Sequence, residues 1–397
     1  MDGVDEGVTS PRVMAMLRRN QGQLLLCDGS AMRSRDSDLG VNGKVVEQHR
    51  NTSGGTYKGP ASYQMFSCQP AGNAAPSNNA TPPPVTLADF TGDWIYIAGS
   101  DDGTKVTAAT WSYGYEAGQE RWIYHSTDGG ATWRKGKKAG PYGWRSVVCS
   151  ANGMTLAGIC HDTPEMARRY IQISTDFGAT WRPTQQGVED GHVCMSEDGM
   201  KLASLGWNSP LVTSFDGGRT WQERMARRDW NAVACSRDGR KVVAASTHER
   251  LYTSTDSGVT WTGRETNRGW QSVGSSADGT KLVATARGGY VYTSSDSGVT
   301  WTRQVSGPGW GVELGNLACS NDGRVIIASD KNANVVHISA DFGVTWKTSG
   351  QGALGAEIWP VFTSVNGQKL VAGEPHGSIW YSTDGGATWA KGKLQQQ

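Results

Sequence analysis

The sequence predicts an all-β protein, a seven-bladed β-propeller with one Asp box per blade, preceded by an irregular N-terminal arm. Three observations carry that expectation. The pattern Ser-x-Asp-x-Gly-x-Thr-Trp recurs seven times between Ser126 and Trp389. An Asp-Gly or Asn-Gly turn pair precedes each copy, so a second, independent period gives the same number. The first 84 residues carry neither a tryptophan nor a box, so the repeat begins after them.

The boxes place aspartates at Asp128, Asp176, Asp216, Asp256, Asp296, Asp341 and Asp384, and tryptophans at Trp133, Trp181, Trp221, Trp261, Trp301, Trp346 and Trp389. Successive aspartates are 48, 40, 40, 40, 45 and 43 residues apart, the length of four short strands with their turns. The turn pairs are Asp102-Gly103, Asn152-Gly153, Asp198-Gly199, Asp238-Gly239, Asp278-Gly279, Asp322-Gly323 and Asn366-Gly367. Each unit then reads as apolar strand, turn, second strand, third strand and box, with Lys281–Ala284 and Tyr290–Thr293 as a clear second and third strand.

The box needs no ligand to explain it. Its Asp carboxylate is expected to accept hydrogen bonds from N–H groups of its own tight turn, while Gly takes the positive-φ position. An indole repeated once per blade suits a packing contact between blades better than seven binding sites. The same reasoning assigns Trp144, Trp230, Trp270, Trp310 and Trp359 to the openings of innermost strands, with His192 in the corresponding place of another blade.

These repeats resemble the BNR, or Asp-box, repeats of sialidases, certain glycoside hydrolases, sortilin-type receptors and photosystem II assembly factors. The resemblance covers residues 89–392 and implies the propeller. It does not fix an activity, because enzymes, receptors and assembly factors share the motif. A sialidase-type site would need three arginines, a Tyr nucleophile with a Glu partner, and an acidic general acid. The Arg-Ile-Pro motif of that family is absent, since Arg12 and Arg182 neighbour proline without the rest of it. Tyr115 and Glu116 are adjacent, and adjacent strand residues face opposite ways. The xyloglucan-cleaving members set their cleft between two propellers, and this chain has residues for one. Catalysis is therefore not expected. An assembly factor resembling the photosystem II type, or a sialidase- or glycoside hydrolase-like enzyme, is the alternative.

Bulk properties exclude further classes. With 38 basic and 37 acidic side chains the formal net charge is +1, so no global field draws the chain to nucleic acid or membrane. No apolar run approaches the roughly 18 residues of a membrane span. The acidic start Met1–Glu6 lacks the pattern of a secretory signal. The seven histidines show no pair at ligand spacing, His161-Asp162 being the nearest approach, and a box offers one carboxylate where a calcium cage needs several. No metal or cofactor is expected. Cys149, Cys235 and Cys319 each precede the Ser of a turn in a different repeat, which reads as a small buried residue rather than a bridge. Cys27 and Cys68 have the sequence placement to pair, but nothing in the sequence establishes an oxidising compartment.

Positive support for binding comes from connections that leave the outer strands of blades 3 to 5. They hold Arg224, Arg227, Arg228, Arg264, Arg268 and Arg303. On the face opposite the boxes, flanked by Trp230, Trp270 and Trp310, these are expected to form an arc for a carboxylate, a sulfated surface glycan or an acidic peptide. Asp229, Glu223 and Glu265 lie close enough in sequence to neutralise part of it.

Residues 1–72 read as an anchoring arm and residues 73–84, ending Pro82-Pro83-Pro84, as a proline-rich linker before the propeller of residues 85–397. The arm offers one helix near Pro11–Asn20 and one short strand at Leu24–Cys27, too little to bury a core alone. Its run Leu25-Leu26-Cys27-Asp28-Gly29-Ser30 resembles the Leu-Cys-Asp-Gly segment of phage tail-collar domains. An arm of this kind is expected to be held by other subunits of an assembly. The resulting expectation is a non-catalytic component of a virion or extracellular surface assembly, a phage tail or capsid decoration that displays a recognition propeller.

Overall fold

The computed structural model describes residues 23–25, 31–33, 87–89, 91–110, 122–138, 143–160, 170–187, 191–304, 314–330, 333–355 and 357–395. The chain divides into two units, Met1–Pro83 and Pro84–Gln397. In the first, Gln23–Leu25 pairs antiparallel with Ala31–Arg33. The expected strand therefore starts one residue early, while the expected helix, Cys27 and Cys68 lie outside the described residues.

The second unit is a ring of seven antiparallel meanders of four strands each. Blade 1 runs Trp94–Gly99, Val106–Thr110, Trp122–Ser126 and Thr132–Lys138. The remaining six span 144–187, 192–228, 230–264, 270–303, 314–349 and 361–391. Second strands such as Val106–Thr110, Val242–Ser246 and Leu282–Ala286 are buried at every position, because both faces of a blade's sheet meet a neighbouring blade. Outer strands are mostly exposed and vary in length, from seven residues at Thr132–Lys138 and Gln222–Arg228 to two at Thr302–Arg303.

Each meander sends its first turn and its Asp box to one face, and its second-to-third loop and inter-blade connection to the other. On the box face the first turns lock into a closed ring. Backbone N–H groups of Asp101, Ala151, Glu197, Arg237, Ala277, Asn321 and Val365 each donate to the carbonyl of the next member, at 2.7–3.1 Å, and Val365 returns to Asp101. Arg237 also reaches from blade 4 to the carboxylates of Glu197 in blade 3 and Asp101 in blade 1.

The boxes behave as their chemistry requires. Thr300 Oγ1 donates to Asp296 at 2.6 Å, and Ser294 Oγ donates at 2.8 Å while accepting from Gly298 N. The other six boxes repeat that pattern. Hydrogen bonds from Thr300 and then Ser294 hold the Asp296 carboxyl down to about 2. The indole N–H donates to the box Gly carbonyl in six blades, and in blade 7 Trp389 donates to Ser349 Oγ, which in turn donates to Gly386 O.

Ring closure uses both ends of the unit. The C-terminal strand Lys393–Gln395 lies parallel to the outer strand of blade 1, and Leu87–Asp89 pairs antiparallel outside it. On the opposite face Trp94 Nε1 and Gly92 N both donate to Gly377 O of blade 7 at 3.0 Å.

The inner tryptophans depart in part from expectation. Trp144, Trp230 and Trp270 are at most 2% exposed and fill the expected core position, joined by Trp94, which the sequence reading passed over. Each lies six residues before the Ser of its first turn. By that ruler the position belongs to Leu314 in blade 6 and Ile358 in blade 7, both wholly buried. Trp359 is half-buried beside Ile358, Trp310 lies outside the described residues, and His192 sits two residues further along its strand.

Candidate functional site on the loop face

The face opposite the boxes carries the expected arginines, and blades 3 to 5 form its most completely described part. There the connections are laced to one another through the backbone. Trp230 N donates to Gly206 O, Thr247 N to Asp229 O, Arg268 N to Glu249 O and Arg287 N to Gly269 O, at 2.8–3.3 Å. The second-to-third loops of blades 3, 4 and 5 and the connections between them thus make one continuous band.

Within that band the six arginines divide. Arg224 and Arg264 are half-buried on the outer strands, where Nε donates to Thr213 Oγ1 and Thr253 Oγ1 at 2.8 and 3.0 Å. Arg228 pairs with Glu249 and lies 5.1 Å over the Tyr252 ring, whose hydroxyl donates to the same carboxylate at 2.8 Å. Burial, then the bond to Glu249, pushes the Tyr252 phenol up. These three hold the fold. Arg227, Arg268 and Arg303 are exposed. Arg227 donates to Asn208 O at 2.8 Å, Arg268 lies 3.8 Å from Glu265, and Arg303 sits 5.2 Å over Tyr290.

Burial also corrects the expected stacking role of Trp230 and Trp270, while Trp310 lies outside the described residues. Trp230 and Trp270 pack edge-on against Tyr252 and Tyr292 with centroids 5.3 and 5.0 Å apart, leaving no indole face for a ligand. Among the described residues of blades 3 to 5, the large aromatic that faces solvent on this side is Trp207, 47% exposed in the second-to-third loop of blade 3, edge-on to His248 of blade 4. The corresponding loops of blades 4 and 5 expose Arg250 and Arg287, neither of which makes an ion pair among the described residues. Sequence reasoning missed these because it followed only the connections after the boxes. The second-to-third loops reach the same face, and their position between two strand patterns was the available signal.

The remaining polar features are committed to the scaffold. Glu374 is buried and accepts from Gly355 N at 2.6 Å, Ser378 N at 3.0 Å and the Trp380 indole. His337 and Asp330 form a buried pair at 3.3 Å. Among the described residues no group of three or more His, Cys, Asp or Glu is placed to hold a metal ion, and no helix is long and apolar enough to cross a membrane. Tyr115, Glu116, His161 and Asp162 lie outside the described residues. On the box face a shallow depression of about 550 Å³ is lined by Glu197, Arg237, Asp238, Arg240, Lys241 and their neighbours.

Comparison with known proteins agrees with the architecture. The BNR/Asp-box repeat family model matches residues 124–135 and 380–391, the third-to-fourth-strand hairpins of blades 1 and 7. A search of curated protein sequences finds no match. Among solved structures the chain is similar to the GH74 xyloglucanase of Xanthomonas campestris at 13% identity and a TM-score of 0.60. That alignment covers 79% of this chain and 56% of the xyloglucanase, so the chain spans little more than half of that enzyme's length. It is similar to YCF48 from Cyanidioschyzon merolae at 15% identity and a TM-score of 0.56, over 76% of this chain and 99% of that one. A structure of YCF48 bound to D1 peptide aligns at 16% identity and a TM-score of 0.56, over 77% and 97% of the two chains. At these identities the likeness is one of fold. The chain is a β-propeller built from BNR-type repeats.

Proposed function

We propose that this protein is a non-catalytic recognition module whose loop face, across blades 3 to 5, binds an acidic segment of a protein partner. The observation that carries the reading is the exposed Trp207 on the same backbone-laced band as Arg227, Arg250, Arg268 and Arg287, with Arg303 over Tyr290 at its blade 5 end. Of the acids nearest these cations, Glu249 is spent on Arg228 and Tyr252, Glu265 lies 3.8 Å from Arg268, and Glu223 is exposed. Aromatic and arginine side chains are the types that dominate binding energy at protein interfaces, and guanidinium groups match carboxylates two bonds at a time. That a protein of the same fold is known bound to a peptide is in keeping with a protein ligand. The non-catalytic part of the reading rests on the box carboxylates, each satisfied within its own turn.

Residues 1–84 attach the propeller to a larger assembly in this proposal, and the tail-collar resemblance of residues 25–30 indicates a virion. Fluorescence anisotropy with a labelled Glu-rich peptide and its Lys-rich counterpart tests the recognition reading. The Glu-rich peptide binds, weakens as salt rises, and loses about tenfold affinity, ~1.4 kcal/mol, in Arg227→Glu or Arg287→Glu. Equal binding of both peptides, or variants that bind unchanged, would refute it.

A further inference from the structure

The inner strands of neighbouring blades face each other in a fixed register, measured from the Ser of each first turn. The residue two before that Ser in one blade meets the residue one before it in the next. Phe362 of blade 7 occupies the space over Gly99 of blade 1, where a Cβ would come within 2.5 Å of the ring. Gly274 of blade 5 faces Cys319 of blade 6, and a Cβ built on Gly274 stands 4.0 Å from the Cys319 Cβ and 3.3 Å from its Sγ.

In blades 3 and 4 the same two positions hold Cys194 and Cys235. Both are free thiols, Cys194 buried and Cys235 half-buried, in one cluster with Ala203 and Val242. Just beyond them Glu197 N donates to Arg237 O at 2.7 Å, holding the two strands side by side. The side-chain hydrogen bond with Cys235, and then burial, raise the Cys194 thiol well above its ordinary range. A disulfide needs Cβ atoms about 3.5–4.5 Å apart, and the register supplies 4.0 Å at the equivalent position.

We propose that Cys194 and Cys235 are an oxidation site at which a hydroperoxide closes a disulfide between blades 3 and 4. The more accessible Cys235 loses its proton and the thiolate attacks hydrogen peroxide: the S–O bond forms as the O–O bond breaks, and the hydroxide released takes up that proton as the first water. Cys194 then attacks the sulfenic sulfur. The S–S bond forms, the S–O bond breaks, and the second hydroxide leaves with the Cys194 proton, so two thiols and one peroxide give one disulfide and two waters. The bridge spans the two blades whose opposite ends carry Trp207, Arg227 and Arg250, and it shuts a loop of about 40 residues that restricts the unfolded chain. Raised thiol pKa and burial make closure slow, which sets the incubation time.

The test treats the full-length protein with hydrogen peroxide, alkylates it under denaturing conditions, and maps the cysteines by mass spectrometry. The result expected is a peptide pair joined through Cys194 and Cys235 and separated by dithiothreitol, with Cys149, Cys160 and Cys319 alkylated. The unfolding midpoint rises by several degrees on oxidation, and this rise is lost in Cys194→Ser. Gly274→Cys, oxidised in parallel, controls the register, since in that variant the new thiol is expected to bridge to Cys319. Recovery of Cys194 and Cys235 both alkylated, or of Cys235 as sulfinic acid beside free Cys194, overturns the proposal. A midpoint rise that survives in Cys194→Ser does so as well.

Discussion

Acid should weaken this propeller through a particular histidine. His125 lies in the third strand of blade 1, wedged between Gly136 of its own outer strand and Gly178 in the box of blade 2, where any Cβ would strike the imidazole. Its Nδ1 meets Thr107 Oγ1 at 3.1 Å, and its buried Nε2 has no hydrogen-bond partner. Burial therefore pushes the ring down from 6.5 to about 4. The folded state keeps the ring neutral while the unfolded chain protonates it below about 6.5, so the unfolded state binds more protons as pH falls. Stability is unaffected above that value, declines through the window between the two values, and stops declining below about 4. At pH 5 the loss works out to about 2 kcal/mol, approaching ~3.4 kcal/mol at lower pH. Urea unfolding followed by tryptophan fluorescence at pH 7 and 5 measures it, with His125→Phe as the comparison. The phenyl ring keeps the contacts with both glycines but cannot titrate. The native protein should lose about 2 kcal/mol more between the two pH values than the variant does. Equal losses would refute the reasoning. His192, lowered to about 4 by burial and then by Arg145, contributes to both proteins and cancels in the difference.

Other consequences are as direct. Trp133→Ala should cost about 3–5 kcal/mol in the same unfolding assay, because this fully buried indole sits where the C-terminal strand closes the ring. Gly178→Ala should destabilise by about 1–3 kcal/mol, since φ there is +83° and the added methyl overlaps His125, and His125→Ala should recover part of that loss. The attachment role of residues 1–84 is tested by the native mass of the full chain against one beginning at Val85. A large particle that becomes a monomer on truncation supports it, and two monomers contradict it.

The fold was legible because two short-range devices repeat and each dictates its own geometry. A Ser-x-Asp-Gly turn and a Ser-x-Asp-x-Gly-x-Thr-Trp box fix backbone hydrogen bonds within five residues, so counting them counts blades. Closure was not legible. Lys393–Gln395 and Leu87–Asp89 carry no motif, and they pair only because the ring brings opposite ends of the unit together. The inner tryptophans show the same limit from another side. Counting forward to the turn Ser unites Trp94, Trp144, Trp230 and Trp270 and assigns Leu314 and Ile358 to the same place, whereas matching tryptophans by type selected Trp310 and Trp359. At the site, residue type alone could not separate an arginine whose Nε is held by a threonine, such as Arg264, from one turned to solvent, such as Arg287. The first reaches its threonine 11 positions back only through strand pairing.

What the loop face of blades 3 to 5 touches decides whether it is a recognition surface. Cross-linking the native protein to a Glu-rich peptide that carries a photoreactive group, followed by mass spectrometry, locates the contact. Labels on the loops that hold Trp207, Arg227, Arg250 and Arg287, abolished by Trp207→Ala with Arg287→Glu, are the result predicted. Labels confined to the depression around Arg237 and Arg240 on the box face would contradict it.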